Sequence, residues 1–291
     1  MKPSATEINR LVRMALDEDV PHGDTTSQTL IPASARITAQ LSAREPGILC
    51  GEDIFTAAFT LTDPAVSVAF TLHDAERFQK SQTLATIQGP ARAILQAERV
   101  ALNFLQRLCG IATLTAAYVS EIAGTKCRIV DTRKTTPGLR LIERYAVRCG
   151  GGQNHRYSLS DAVMAKDNHL AAVVADPAGP NLIEALKSLR QKLPHTTHIE
   201  VEVDRLDQIE PILSSGAVDT IMLDNFSTPD LLAGVRQVAG RALIEASGGI
   251  TLPRVREVAL TGVDIISIGA LTHSVRALDL GLDIALDIKV Q

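Results

Sequence analysis

The chain reads as an α/β protein built on an incomplete, barrel-like parallel sheet, with a smaller mixed α+β domain ahead of it. Three observations lead there. From residue 128 onward, short apolar runs alternate with helical stretches: RIVD (128–131), DAVMAK (161–166), HIEVEV (198–203), TIMLD (220–224), ALIEAS (242–247) and DIISIG (264–269), spaced by segments such as 181–193, 205–215 and 251–261. Alternating β and α elements imply a parallel sheet with right-handed crossovers. The later runs recur every ~20–25 residues, which suits the βα repeat of a barrel. The length, 291 residues, exceeds the usual single domain and leaves room for a companion to the barrel. Finally, the stretch before about residue 110 lacks this rhythm. Six strands fall short of the eight in a closed barrel, so either one hides between residues 133 and 160 or the barrel stays open.

Along the chain, Ile8, Leu11, Val12, Ala15 and Leu16 repeat at helical spacing and predict a first helix. That spacing differs from the unbroken apolar core of a signal peptide. HGDTTS reads as a polar turn. ITAQLSAR and VSVAFTL alternate as strands do, with Gly and Pro punctuation between them. ARAILQAERVALNFLQRLCG followed by IATLTAAYVSEIA is strongly helical and ends near Gly124. The expected domains are 1–110 and 111–274, with a tail of about 275–291.

Composition narrows the function classes. Hydrophobic residues make up 45% and charged residues 21%, as in an ordinary globular protein. A net charge of −4, with 3% aromatics and no Trp, argues against nucleic-acid binding. No unbroken apolar stretch reaches the ~20 residues of a membrane span. Cys50, Cys109, Cys127 and Cys149 form no CxxC pair, which suits reduced, buried thiols in a cytosolic protein.

Against that acidic background DTRKTTPGLRLIERYAVRCGGGQNHR (131–156) is conspicuously basic. Reactive groups of a barrel sit where strands end. Those ends give Thr132, Arg133 and Lys134, then Lys166 to His169, then Glu202 and Asp204, Asp224 and Asn225, Ser247 to Gly249, and Ile268 to Ala270. Cations come early, acids in the middle and glycines late. Arg offers a rigid donor fork to a carboxylate and Lys a point charge, so Arg133, Lys134, Arg156 and Lys166 suit a multiply charged anion. Arg140, Arg144 and Arg148, at helical spacing, read as a solvated face. Gly150–Gly152 is either a helix stop or a place of close backbone approach. Glu202 and Asp224 suit a sugar diol or Mg²⁺, or general acid and base. Glu200 shares a strand face with Glu202, and Asp204 follows, leaving open which acid points inward. ASGGI and SIGA supply backbone donors for phosphate at the last two strands, with His273 just beyond.

DTRKTTPGLR, the following YAV, CGGGxNHR, KDNH, EVEV, LDNF, EASGGI and GALTHS, in this order, resemble the quinolinate phosphoribosyltransferase family over almost the whole chain. Ser158 and Ala165 stand where the family pattern suggests a glycine and a larger aliphatic residue. The resemblance implies an N-terminal α+β sandwich, an open α/β barrel, and a C-terminal tail that returns to the first domain. It implies a cytoplasmic enzyme that converts quinolinate and 5-phosphoribosyl-1-pyrophosphate, with Mg²⁺, to nicotinate mononucleotide, CO₂ and pyrophosphate. Arg99, Thr132, Arg133, Lys134, His155, Arg156 and Lys166 would line the quinolinate pocket, Arg99 coming from a neighbouring subunit of a homodimer or higher homo-oligomer. Glu202 and Asp224 would serve ribose and metal, and Ser247, Gly248, Gly249, Ile268, Gly269, Ala270 and His273 would hold phosphate. The alternatives are a paralogous phosphoribosyltransferase of molybdenum-transport clusters, an unrelated phosphate-binding barrel such as an isomerase or aldolase, and an inactive sensor. Retention of Arg133, Lys134, Arg156, Lys166, Glu202 and Asp224 weighs against all three.

Overall fold

A computed structural model describes residues 2–174 and 181–284. The chain opens with α1 (Ala5–Asp19), where Ser4 and Glu7 form a reciprocal capping box and Ile8, Leu11 and Val12 are buried, the face expected from their spacing. The HGDTTS segment is more than a turn. Its Asp24 accepts the Ser27 amide and caps a short helix, α2 (Thr25–Leu30). Then follow β1 (Arg36–Ala43), β2 (Gly47–Ile48), α3 (Glu52–Thr62), β3 (Ser67–Phe70), β4 (Arg77–Phe78) and β5 (Thr83–Pro90). Strands β1, β3 and β5 pair antiparallel, and α3 packs on β3, where Phe55 meets the edges of Phe59 and Phe70 at 5.1 and 5.6 Å.

Helix α4 (Ala91–Glu121) runs unbroken for 31 residues. Its apolar stripe of Ile94, Ala97, Ala101, Leu105 and Leu108 is almost wholly buried. By length and composition this helix would pass for a membrane span, contrary to the reading of the raw sequence, and 61% of its most apolar window lies inside the protein, as in a core helix.

The alternating half contains β6 (Arg128–Val130), α5 (Arg140–Cys149), β7 (Val163–Ala165), α6 (Asp167–Val174), α7 (Leu182–Lys192), β8 (Ile199–Val203), a 3₁₀ turn at Leu206–Gln208 leading into α8 (Ile209–Leu213), β9 (Thr220–Asp224), α9 (Thr228–Val238), β10 (Leu243–Ser247), α10 (Leu252–Leu260), β11 (Ile265–Ser267) and α11 (Ala270–His273). All six strands found in the sequence are present, in one parallel sheet of order β6-β11-β10-β9-β8-β7. Among the described residues β6 and β7 do not pair, so the barrel is open. The stretch 133–160 holds only a single parallel bridge, Val130 to Gln153.

The last strand, β12 (Leu280–Ile284), pairs antiparallel with β1, from Ala39 opposite Ile284 to Ala43 opposite Leu280. The tail therefore joins the four-stranded sheet of the first domain, while residues 285–291 lie outside the described residues. One compact unit comprises residues through Ala116, Thr136–Gly151 and Ser274 onward; the other comprises Ala117–Thr135 and Gly152–His273. The cut at residue 110 expected from sequence therefore differs from the compact units. α4 has no break there, and α5 belongs with the first unit because buried Glu143 accepts from Arg107 of α4 at 2.8 Å and from the Thr136 amide at 3.1 Å. On α5 Arg148 is exposed, whereas Arg140 and Arg144 are half-buried, so the solvated face is narrower than expected. Gly150 permits close packing, because a Cβ there would collide with Ala112 O and Thr115 Cβ.

Candidate active site

Period-two alternation decides which side chains face the barrel interior. In β8, Ile199, Val201 and Val203 are buried on the outer face, so Glu200 and Glu202 both point inward. Parallel register sets Met164 beside Glu200, Glu202 beside Met222, Met222 beside Glu245, and Asp224 beside Ser247. Above this floor lies a cavity of about 560 Å³, lined entirely by residues of the second unit. Thr132, Arg133, Lys134, His155, Arg156, Lys166, Glu202, Asp224, Ser247, Gly248 and Gly249 all border it. A neighbouring hollow of about 670 Å³ shares Glu202, Asp224 and Asn225 and carries Asp167, Asp204 and Asp207 on its walls.

The cations are held by the ends of β6 and β7 and by the loop after α5. The Lys134 amide donates to Thr132 Oγ1 at 3.1 Å, and its carbonyl accepts from Thr272 Oγ1 at 2.7 Å. Gly269 makes room for this residue, since a Cβ would lie 3.0 Å from both Lys134 Cδ and His273 Cδ2. Arg156 Nη1 donates to Ala162 O at 2.9 Å. Burial first, and then the Arg133 charge, lower the Arg156 pKa, a direct sign of crowded cations. Lys166 Nζ donates to Glu202 Oε2.

Buried carboxylates set the Asn154–Arg156 loop, among them Asp131, which was missed as a site residue in the sequence. Asp131 is fully buried; its carboxylate accepts the His155 amide at 2.8 Å and Asn154 Nδ2 at 2.6 Å. The His155 ring lies between two buried carboxylates, with Nε2 3.0 Å from Glu200 Oε2 and 3.4 Å from Glu245 Oε2. The Arg156 amide donates to its Nδ1 at 2.8 Å. Both ring nitrogens are thus engaged within the protein, and His155 acts by fixing the backbone that carries Arg156. Burial opposes a charge on this ring, yet Glu200 and Glu245 outweigh it and raise the pKa to about 10. Burial pushes Glu200 up as well. The cluster keeps one proton at neutral pH whether it is drawn as imidazolium with two carboxylates or as imidazole beside a carboxylic acid. A donor at Nδ1 selects the second form.

Across the cavity Asn225, at φ +59°, donates through Nδ2 to Asp224 Oδ2 at 2.7 Å and through its amide to Ser247 O at 2.9 Å. Gly248 and Gly249 follow with φ of +91° and +59°. A Cβ on Gly248 would sit 2.8 Å from Asn225 N, so the turn needs glycine for both conformation and space. The Ile268 amide is already used, donating to Val130 O at 3.0 Å, so the next free positions for ligand contact at that strand end are Gly269 and Ala270. His273 is exposed beside Gly269. Arg99 is exposed on α4 in the first unit, is not among the residues that line this cavity, and borders a hollow with Asp19, Asp24 and Gln96.

Met164, Met222, Glu245 and Ser267 complete the floor and were also missed. Their signal was parity, two residues before Lys166, Asp224 and Ser247 and two before Gly269. The carboxylates of Glu202 and Asp224 fit Mg²⁺ by donor chemistry, being hard oxygen ligands on neighbouring strands at one cavity wall.

An open parallel barrel with cations, carboxylates and a glycine turn gathered at its strand ends suits a transferase that brings an anionic acceptor to a phosphorylated donor. The comparisons make this specific. The quinolinate phosphoribosyl transferase N-terminal domain matches residues 24–109 and the C-terminal domain residues 111–283. The chain belongs to the quinolinate phosphoribosyltransferase family. It is 42% identical over 282 residues to the nicotinate-nucleotide pyrophosphorylase [carboxylating] of Mycobacterium leprae, covering 94% of this chain and 95% of that one. A chloroplastic relative from Arabidopsis thaliana is 38% identical, with 98% and 85% covered. Among solved structures, the nicotinate-nucleotide pyrophosphorylase of Francisella tularensis superposes with TM-score 0.89 at 37% identity, covering 98% of each chain.

Proposed function

We propose that the cavity at the strand ends of the parallel sheet transfers phosphoribosyl from 5-phosphoribosyl-1-pyrophosphate to quinolinate with loss of CO₂. The products are nicotinate mononucleotide and pyrophosphate. The observation that carries this reading is the gathering of three kinds of group around one cavity: the cations Arg133, Lys134, Arg156 and Lys166, the carboxylates Glu202 and Asp224, and the Ser247–Gly249 turn. Two adjacent carboxylates on a pyridine ring lose their water only if fixed cations replace it. With the diacid held there, its ring nitrogen attacks the anomeric carbon, the bond to pyrophosphate breaks, and positive charge develops on the sugar. Glu202 and Asp224 are placed to stabilise that charge. N-ribosylation leaves the ring cationic, so the electron pair released when the adjacent carboxylate departs is held at the ring carbon until it takes a proton. A protein electron sink is unnecessary.

Glu202 and Asp224 would also hold Mg²⁺, which when bound neutralises pyrophosphate charge. Lys166 competes for Glu202, so this side chain changes partner as substrates enter. Arg99 serves the site of a second copy in a two-fold dimer, completing both sites symmetrically. The test is to supply purified protein with the phosphoribosyl donor, Mg²⁺ and carboxyl-labelled quinolinate. Stoichiometric labelled CO₂ and nicotinate mononucleotide support the assignment; donor consumption without either product contradicts it.

A further inference from the structure

Away from the cavity, the first unit holds a cluster the proposed reaction does not use. Cys50 lies just ahead of α3 and Cys149 ends α5; their sulfurs and a carboxylate oxygen of Asp74 all lie within 4.8 Å of one another. We propose that Cys50 and Cys149 are a peroxide-oxidisable dithiol that closes to a disulfide, tying the C-terminal end of α5 to the loop that starts α3.

The arrangement favours oxidation over metal binding. Zinc or another thiophilic ion would need Asp74 as its third ligand, but Asp74 is already committed. Its Oδ1 accepts the Gly51 and Glu52 amides at 2.7 and 3.2 Å, and its Oδ2 accepts from Tyr145 Oη at 2.7 Å. Those bonds hold the N-terminus of α3, and Tyr145 on α5, around the two thiols. The two sulfurs therefore face each other across a contact held from both sides by Asp74. The neighbouring Cys50, working against burial, lowers the Cys149 pKa, while burial drives Cys50 up. The pair thus has one thiol disposed to ionise and one that keeps its proton, the asymmetry of an attacking and a resolving cysteine. Cys109 completes the packing, accepting the Cys50 amide at 3.4 Å, and burial raises its pKa to about 12. A small cavity of about 10 Å³ bordered by Gly51, Asp74, Tyr145 and Lys2 lies alongside.

The step balances with hydrogen peroxide as oxidant. The Cys149 thiolate attacks one peroxide oxygen, the O–O bond breaks, and hydroxide leaves and recovers the thiol's proton as water. Cys50 then attacks the sulfenic sulfur; the S–O bond breaks, hydroxide departs with the Cys50 proton as a second water, and the S–S bond forms.

The full chain, reduced and then exposed to peroxide while folded, is alkylated after unfolding and mapped by mass spectrometry. Among its four free cysteines, two thiols should disappear. The Cys50 and Cys149 peptides should appear joined, lighter by two hydrogens than the reduced pair and separable by dithiothreitol. Cys127→Ser protein should behave identically, and Cys149→Ser should lose the link. A Cys50–Cys109 link, over-oxidation of Cys149 without a link, four alkylatable thiols after treatment, or one equivalent of tightly held zinc that protects the pair would each overturn the proposal.

Discussion

Replacing Glu245 by Gln should flatten the dependence of stability on pH above neutrality. In the folded chain the His155–Glu200–Glu245 cluster keeps one proton up to about pH 10, because two carboxylates lie 3.0 and 3.4 Å from one imidazole nitrogen. In the unfolded chain that proton sits on a histidine with an ordinary pKa of about 6.5. The folded pKa is raised, so the stabilisation is complete below ~6.5 and is lost as pH rises towards the folded value. One proton is worth about 1.4 kcal/mol per pH unit, giving a loss of roughly 2 kcal/mol between pH ~6.5 and ~8.5. At this chain length that corresponds to roughly 4–8 °C in melting temperature. Glutamine keeps the shape and removes one of the two carboxyl groups that share the proton, so the cluster's affinity for it falls and most of the loss disappears. The assay is calorimetric melting of both proteins across this range, read as the difference between them at each pH so that other titrating groups cancel. Parallel curves would refute the shared-proton description of the cluster.

Three further outcomes are expected. Lys134→Ala and Lys166→Ala should each lower kcat/KM for quinolinate ~10²-fold or more, with circular dichroism unchanged because both side chains are at least partly exposed; near-wild-type efficiency in both would reduce the cation cluster to a solvated face. Gly248→Ala forces a side chain to φ +91° and against Asn225, so KM for the phosphoribosyl donor should rise steeply, and an unchanged KM would exclude the glycine turn as the phosphate seat. Arg99→Ala and Lys166→Ala proteins, each nearly inactive, should regain activity when unfolded and refolded together, since a mixed dimer holds one site free of both changes. Continued inactivity with mixed dimers demonstrated would remove Arg99 from the partner's site.

The sequence showed the barrel strands because each is a short apolar run ending in a polar residue, and strand ends are where a parallel barrel puts its chemistry. All six runs became strands, and Thr132 to Lys134, Lys166, Glu202, Asp224 and Ser247 to Gly249 reached one cavity. Buried polar groups were harder to find. Asp131 read as one acid among cations, although its role is to hold the His155 amide. Glu245 sits inside an apolar run and is betrayed only by alternation from Ser247. For Glu200 and Glu202 the sequence left open which faces the site; both do, and their division of labour depends on partners the sequence does not show, since Glu200 reaches His155 while Glu202 meets Lys166. The expected border at residue 110 falls where the two family domains meet, whereas the compact units divide elsewhere, because a continuous helix carries no mark where contacts change sides and Glu143's partner Arg107 lies 36 residues away.

The most direct test of the central claim is a comparison of quinolinate with nicotinate as acceptors under identical donor and Mg²⁺ concentrations. If the cations around the cavity exist to replace the water of two carboxylates, an acceptor with one carboxylate leaves part of that cluster unpaired. Truncating one partner of such a pair costs roughly 3–5 kcal/mol, or ~10²–10³-fold or more in kcat/KM. The account predicts at least that preference for quinolinate; comparable turnover of the two acids would contradict it.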